Sequence, residues 1–254
     1  MNYLGGKYRL RDEIGGVLNT IRRPAQAYWE PFVGAAWVTT RINTSPVFCS
    51  DANEYLIALW KALMDGWLPP KVVSEDEYYR VKENPNQNPA LTAFVGFGCS
   101  WGGKWFGGYA RDNTDRNYAQ NARNSLLAKV NEIAHLNPVF FVHDFLEGLP
   151  SVIEGKRCLI YCDPPYKATT GYDAIDNWST TKFWEVIRGL VAQGHDVIVS
   201  EYRAPDDFKC VVQYSTRTDI RGKNGREDRV ERLFAHQDAD YTILRPQQLS
   251  LGVI

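Results

Sequence analysis

Long apolar runs are missing from this 254-residue chain, and none approaches the roughly 20 residues that a membrane span requires. The opening Met1-Asn2-Tyr3-Leu4-Gly5-Gly6-Lys7 contains no apolar signal core. Both absences predict a cytoplasmic protein with no membrane partner. Histidine is scarce, at four residues lying far apart, and no metal-type cluster forms, so no metal is expected. The five cysteines (49, 99, 158, 162 and 210) are odd in number and scattered. Cys158 and Cys162 have three residues between them, which is not zinc-ribbon spacing. All five are expected to be reduced and mostly buried. There is no surplus of one charge either. The net charge of −1 counts modestly against a nucleic-acid binder, and its distribution matters more than the sum.

What is present is an ordinary globular composition, 44% hydrophobic and 23% charged, enough to bury one large core with an insertion. The periodicity alternates. Leu10, Ile14, Val17, Leu18 and Ile21 have helical spacing, and Ala27 to Phe32 reads as a short strand. A helix is expected over 35–43, a strand over Val47–Ser50 and a helix over Glu54–Met64. After Pro138 the alternation resumes, with strands at Val139–Val142 and 156–161, a helix over 182–193 and a strand at Val197–Ser200. Final strands, some of them antiparallel, are expected at 209–214, 230–235 and 241–244. This order predicts an α/β sheet with parallel strands. Between about Gly66 and Pro138 the rhythm breaks. Phe94 to Tyr109 is dense in glycine and aromatic residues and predicts irregular, ligand-facing chain. Residues 121–136 then look helical. The expected division is therefore a core of residues 1–65 and 139–254 carrying an insertion, 66–138.

The most informative string is Asp163-Pro164-Pro165-Tyr166, placed directly after the apolar run Cys158–Cys162. The carboxylate accepts hydrogen bonds from N–H groups. The prolines are rigid and leave their carbonyls free as acceptors. The tyrosine ring offers a stacking face. Together they make a clamp for a flat amine. Three further positions fall at expected strand ends. Gly34 allows close approach of backbone to a ligand. Asp51 stands where an open α/β sheet places a ribose-binding carboxylate, and Asp144 ends the third strand.

In this order the motifs resemble those of the Dam-type family of adenine-specific DNA methyltransferases, and the resemblance spans nearly the whole chain. Tyr3-Leu4-Gly5-Gly6-Lys7 resembles the family's opening motif, and Glu30-Pro31-Phe32-Val33-Gly34-Ala35 its cofactor motif. Asp51-Ala52-Asn53 resembles its ribose motif. Asp144-Phe145 is similar to its adenine-contacting pair, and Asp163-Pro164-Pro165-Tyr166 to its catalytic motif. The resemblance implies a Rossmann-like S-adenosylmethionine-dependent methyltransferase fold with a partly helical, loop-rich DNA-recognition insertion. It implies a cofactor site of Tyr3, Gly6, Lys7, Glu30, Pro31, Phe32, Gly34, Asp51, Asn53, Asp144 and Phe145. It also implies methyl transfer to the N6 amine of a flipped adenine in double-stranded DNA. Such enzymes work in bacterial cytoplasm or phage-infected cells, in restriction systems or alone. The chain departs from the family at Ala36, where a second glycine is common.

For DNA contact the sequence offers Lys104, Tyr109, Arg111, Asn113, Arg116 and Asn117 in the insertion. Arginine pairs with guanine and asparagine with adenine in the major groove. Local basic surpluses lie at the N-terminus, over 104–129 and over 217–232. Rival readings are methylation of cytosine N4, RNA adenine or a protein amide, and a catalytically silent binding module. The leading Asp of the clamp favours adenine, and the intact set Gly34, Asp51, Asp163 and Tyr166 favours an enzyme. The motifs specify neither a target sequence nor an oligomeric state.

Overall fold

A computed structural model describes residues 1, 5–114, 116–165, 178–218, 227–239, 241 and 248–250. In chain order its elements are α1 (Arg11–Ile21), β1 (Ala27–Glu30), β2 (Val47–Asp51), α2 (Glu54–Met64), α3 (Glu75–Glu83), α4 (Pro89–Ala93), α5 (Tyr118–Ile133), β3 (Val139–Val142), β4 (Cys158–Cys162), α6 (Thr180–Ala192), β5 (Asp196–Glu201), β6 (Phe208–Thr218), β7 (Glu227–His236) and β8 (Gln248–Ser250). The chain divides into two compact units, Met1–Gly16 with Glu30–Phe145, and Val17–Trp29 with Leu146–Ile254.

In the first unit β2 and β3 pair in parallel, Phe48 opposite Val139 and Asp51 opposite Val142. Helix α2 begins where the Asn53 side chain accepts the Leu56 N–H, satisfying an orphan amide of the first turn. It buries Leu56, Ile57, Leu59, Trp60 and Leu63. Its Trp60 ring stacks on Phe140 of β3, centroids 5.6 Å apart and nearly coplanar at 8°. Residues 66–138 contribute α3, α4 and α5 to this unit.

In the second unit the strand order is β1-β4-β5-β7-β6-β8. Strands β1, β4 and β5 are parallel, and β7 is antiparallel to both β5 and β6. Every residue of β4 is buried, as expected for a strand covered on both faces. A parallel core followed by an antiparallel β7 inserted before β6 is the Rossmann-like methyltransferase arrangement of strands. Helix α6 buries Phe183, Trp184, Ile187 and Leu190, and Trp184 packs on Phe208 of β6.

Several boundaries differ from the sequence expectation. No helix forms over 35–43, where only a 3-10 turn, Thr39–Arg41, is present. Gly34 and Ala36 both take left-handed backbone, φ +47° and +54°, which no α-helix accommodates. β1 stops at Glu30 because Pro31 has no N–H to add to a ladder. Helices α3 and α4 were not expected. Their start signals are legible in retrospect, Ser74 capping Glu77 and Asn88 capping Leu91 with Pro89 at the first position. Phe94–Gly98 is regular after all, as a π-helical turn. Gly96 is needed there, since a Cβ would lie 2.6 Å from the Trp105 ring. α5 starts at Tyr118 rather than 121 because Asn117 caps it. Tyr241 is not in a strand, 242–244 lie outside the described residues, and β8 adds a parallel partner to β6. All five cysteines are free, and four are buried.

Candidate active site

The first unit gathers several of the expected cofactor residues around the turn that follows β1. Asp51 ends β2 and receives two backbone N–H bonds, from Gly34 to Oδ2 at 3.2 Å and from Asn53 to Oδ1 at 3.0 Å. Its pKa is nonetheless pushed up to about 6, because burial outweighs the two amides that stabilise the anion. Two amides leave further acceptor sites on a carboxylate. Glu30 is buried and accepts the Thr39 hydroxyl at 2.6 Å. Pro31 is buried beside it. The Phe32 and Phe145 rings lie 5.2 Å apart, so two aromatic residues expected to bind the cofactor meet. Asp144, just after β3, is exposed. Asn53 is committed to capping α2 through its side chain. Gly6 is exposed and Lys7 buried, while Tyr3 lies outside the described residues.

The turn itself is held on several sides. Val33 N–H bonds Ser50 O, Ala36 N–H bonds Val33 O, and Trp60 Nε1 donates to Gly34 O at 2.9 Å. Ala36 sits at φ +54° despite its Cβ, a state that costs an L-residue about 1–2 kcal/mol. Lys129 of α5 reaches this turn, with Nζ donating to Ala35 O at 2.6 Å and lying 3.6 Å from the Trp37 ring centroid. The lysine is 1% exposed, and desolvation lowers its pKa to about 7 against the pull of Glu132 and with the push of Arg11. It is therefore not part of a solvated basic face, as the surplus over 104–129 suggested. Neither Trp60 nor Lys129 was read as a site residue. Trp60 carries the same apolar spacing as any helix core, and a lysine in a polar helix looks solvated.

In the second unit the clamp follows β4 directly. Asp163 and Pro165 are half-buried and Pro164 is buried. Tyr166 and the following 167–176 segment lie outside the described residues.

The expected DNA readers belong to the first unit and differ in availability. Tyr109 donates its hydroxyl to Val73 O at 2.8 Å. Asn117 accepts the Gln120 N–H and donates to Lys71 O at 3.0 Å, so both ends of its amide are engaged. Lys104 and Asn113 are exposed. Arg111 pairs with Glu75 at 3.0 Å and Arg116 with Asp112 at 3.8 Å, both at the surface, where such pairs hold weakly. Beside them the 100–109 segment exposes Trp101 to 57%, on a turn locked by Trp101 N–H to Gly108 O and Phe106 N–H to Gly96 O. Of the 217–232 stretch, 219–226 lie outside the described residues.

A family model described as the D12 class of N6 adenine-specific DNA methyltransferases matches residues 3–92. The chain is 25% identical over 229 residues to the DNA adenine methylase of Escherichia coli K12, covering 80% of each protein. The N-terminal third of the chain is thus similar to the D12 class of adenine-specific DNA methyltransferases, and most of the chain to DNA adenine methylase. The protein named DNA adenine methylase in E. coli O157:H7 matches to the same extent. Among solved structures, an rRNA methyltransferase, aviRa from Streptomyces viridochromogenes, aligns over 92% of this chain and 86% of its own, with 16% identity and a TM-score of 0.43. Similarity to that family points to S-adenosylmethionine as methyl donor and DNA as substrate. The donor set fits that cofactor: a carboxylate with spare acceptor sites suits a ribose diol, and a left-handed glycine turn suits close approach of backbone. Among the described residues no helix is long and apolar enough to cross a membrane.

Proposed function

We propose that the protein methylates the N6 amine of an adenine flipped out of duplex DNA at a specific site. The observation that carries this reading is the Asp163-Pro164-Pro165 string emerging from the fully buried β4 with its carboxylate half-buried. In that setting Asp163 and the Pro164 carbonyl each accept one N–H of the amine. Both bonds draw the nitrogen toward a pyramidal shape and free its lone pair. Tyr166 stacks on the base, on the order of 1–3 kcal/mol, against a flipping cost of a few kcal/mol.

S-adenosylmethionine supplies the methyl as an electrophile. Asp51 holds its ribose, the Gly34 turn approaches it through backbone, and Phe32 and Phe145 offer ring faces to its adenine. Tyr3, Gly6, Lys7, Glu30, Pro31, Asn53 and Asp144 complete that site, Glu30 and Asn53 by supporting its walls. Residues 66–138 form the target-recognition insertion, within which Arg111, Arg116, Asn113 and Lys104 face DNA. Tyr109 and Asn117 shape that surface through their hydrogen bonds to Val73 O and Lys71 O.

Single-molecule sequencing of DNA from cells expressing the protein tests the reading. N6-methyladenine in one short context is expected. Methylation at cytosine, or none in DNA, would overturn it.

A further inference from the structure

Ala36 stands where the D12 family commonly has a second glycine, and it holds the left-handed φ of +54° that glycine adopts freely. Such a conformation persists only where its surroundings over-determine it. The immediate surroundings are unusual. Lys129, fully inside the first unit, spends its ammonium on the carbonyl of Ala35, the residue that precedes the strained one. The same Nζ lies over the Trp37 ring, the residue that follows, and 5.8 Å from the Trp60 ring centroid. Trp60 in turn bonds Gly34 O. The lysine thus contacts the chain on both sides of Ala36. Simple packing does not call for a cation here, because an apolar side chain of similar volume would fill the same space.

We propose that Lys129 is a positioning residue for the cofactor turn: it clamps the Ala35–Trp37 segment into the left-handed shape that an alanine at 36 does not take by itself. The latch also makes cofactor affinity depend on α5, a helix of the recognition insertion. The inference rests on the reading of this turn as the S-adenosylmethionine site, but the clamp acts in the cofactor-free protein too.

The test is a double-mutant cycle of Lys129→Met and Ala36→Gly, read by S-adenosylmethionine calorimetry and by thermal unfolding of the free protein. Lys129→Met is expected to weaken cofactor binding about tenfold, the scale of one left-handed alanine. Turnover at saturating cofactor and DNA should change far less than the cofactor KM. Ala36→Gly alone is expected to leave affinity within about threefold, and in the Lys129→Met background to restore most of the loss. In the free protein, Ala36→Gly should raise the unfolding midpoint less in the Lys129→Met background than in the wild type, because the unclamped turn has already relaxed its strain. If Lys129→Met does not fold, Lys129→Gln enters the same cycle. Additive effects of the two substitutions, in affinity and in unfolding alike, would overturn the clamp. A wild-type protein that binds no S-adenosylmethionine, yet shows the coupling in unfolding, would instead sink the assignment of the turn to that cofactor.

Discussion

Two backbone amides stabilise the Asp51 carboxylate, and burial outweighs them to leave its pKa at about 6. The sign of the resulting linkage is definite. The folded value lies above the ordinary 3.8, so the folded chain binds the extra proton between the two. Its contribution to stability therefore falls as pH rises from about 3.8 to about 6 and stays low above that. Cofactor binding is expected to run the opposite way, because the proposed ribose contact needs the ionised acceptor. Affinity for S-adenosylmethionine should drop as pH falls through about 6, with proton uptake on release. Calorimetry in buffers of different ionisation enthalpy checks it. A flat profile between pH 5 and 8 in the wild type would move the ribose contact to another residue. Asp51→Ala should weaken cofactor binding by about 1.5–3 kcal/mol at pH 8.

Asp163 plays a different part. In the proposed mechanism it accepts from the substrate amine rather than the cofactor, so Asp163→Ala should abolish methyl transfer while leaving S-adenosylmethionine affinity within about threefold, an interaction needed only for the reacting complex. Filter binding of methyl-labelled DNA and cofactor calorimetry measure the two separately. Near-normal turnover in Asp163→Ala would be incompatible with the clamp.

At the scale of elements, the N-caps tell apart residues that hold the surface from residues proposed to read DNA. Asn117 caps α5 and ties it to Lys71 O. Asn117→Ala should lower stability by about 1 kcal/mol, as other lost caps do, and leave the preferred target sequence unchanged. Arg111 and Arg116 make exposed ion pairs that DNA can displace. At least one of Arg111→Ala and Arg116→Ala should relax the methylated sequence at one base position, each bidentate base contact being worth roughly 1–3 kcal/mol. A phosphate contact would instead weaken binding to all sequences and reduce the salt slope by about 1. Methylation of randomised duplexes, sequenced after reaction, separates the two. If both variants keep the wild-type preference at a lower rate, the reading residues lie elsewhere.

The strand periodicities were legible for a plain reason: buried parallel strands such as Cys158–Cys162 are continuous apolar runs, and no solvent face interrupts them. Helix α2 was legible to the residue because its apolar spacing is bracketed by a cap and by Gly66 at φ +89°. The stretch after β1 misled, because Ala35–Asn43 has a helical composition while its course is decided by two left-handed residues. Propensity is local, whereas these φ values are imposed by contacts from residues 50, 60 and 129.

For the molecule as a whole, residues 66–138 read as a detachable insertion, yet they are bonded into the first unit. Tyr55 of α2 bonds Asn86 and packs on Trp105, and Lys129 holds Ala35. A chain in which a short Gly-Ser linker replaces 66–138 is therefore expected to lose cofactor binding and cooperative unfolding, not target choice alone. Calorimetry and circular dichroism on that deletion check it, and retained cofactor affinity would mark the insertion as separable.

The sequence by itself determined the alternation of strands and helices, the order of the motifs, and hence the resemblance to adenine-specific DNA methyltransferases. These depend on period, on cap residues and on short strings whose chemistry is carried by neighbours in the chain. The tertiary structure decided the proton affinity of Asp51, the commitment of Asn53, Tyr109 and Asn117 to internal bonds, and the burial of Lys129. Each of these depends on desolvation and on partners from 2 to 94 positions away in the chain, and a charged or polar residue looks the same in sequence whether it meets water or a carbonyl.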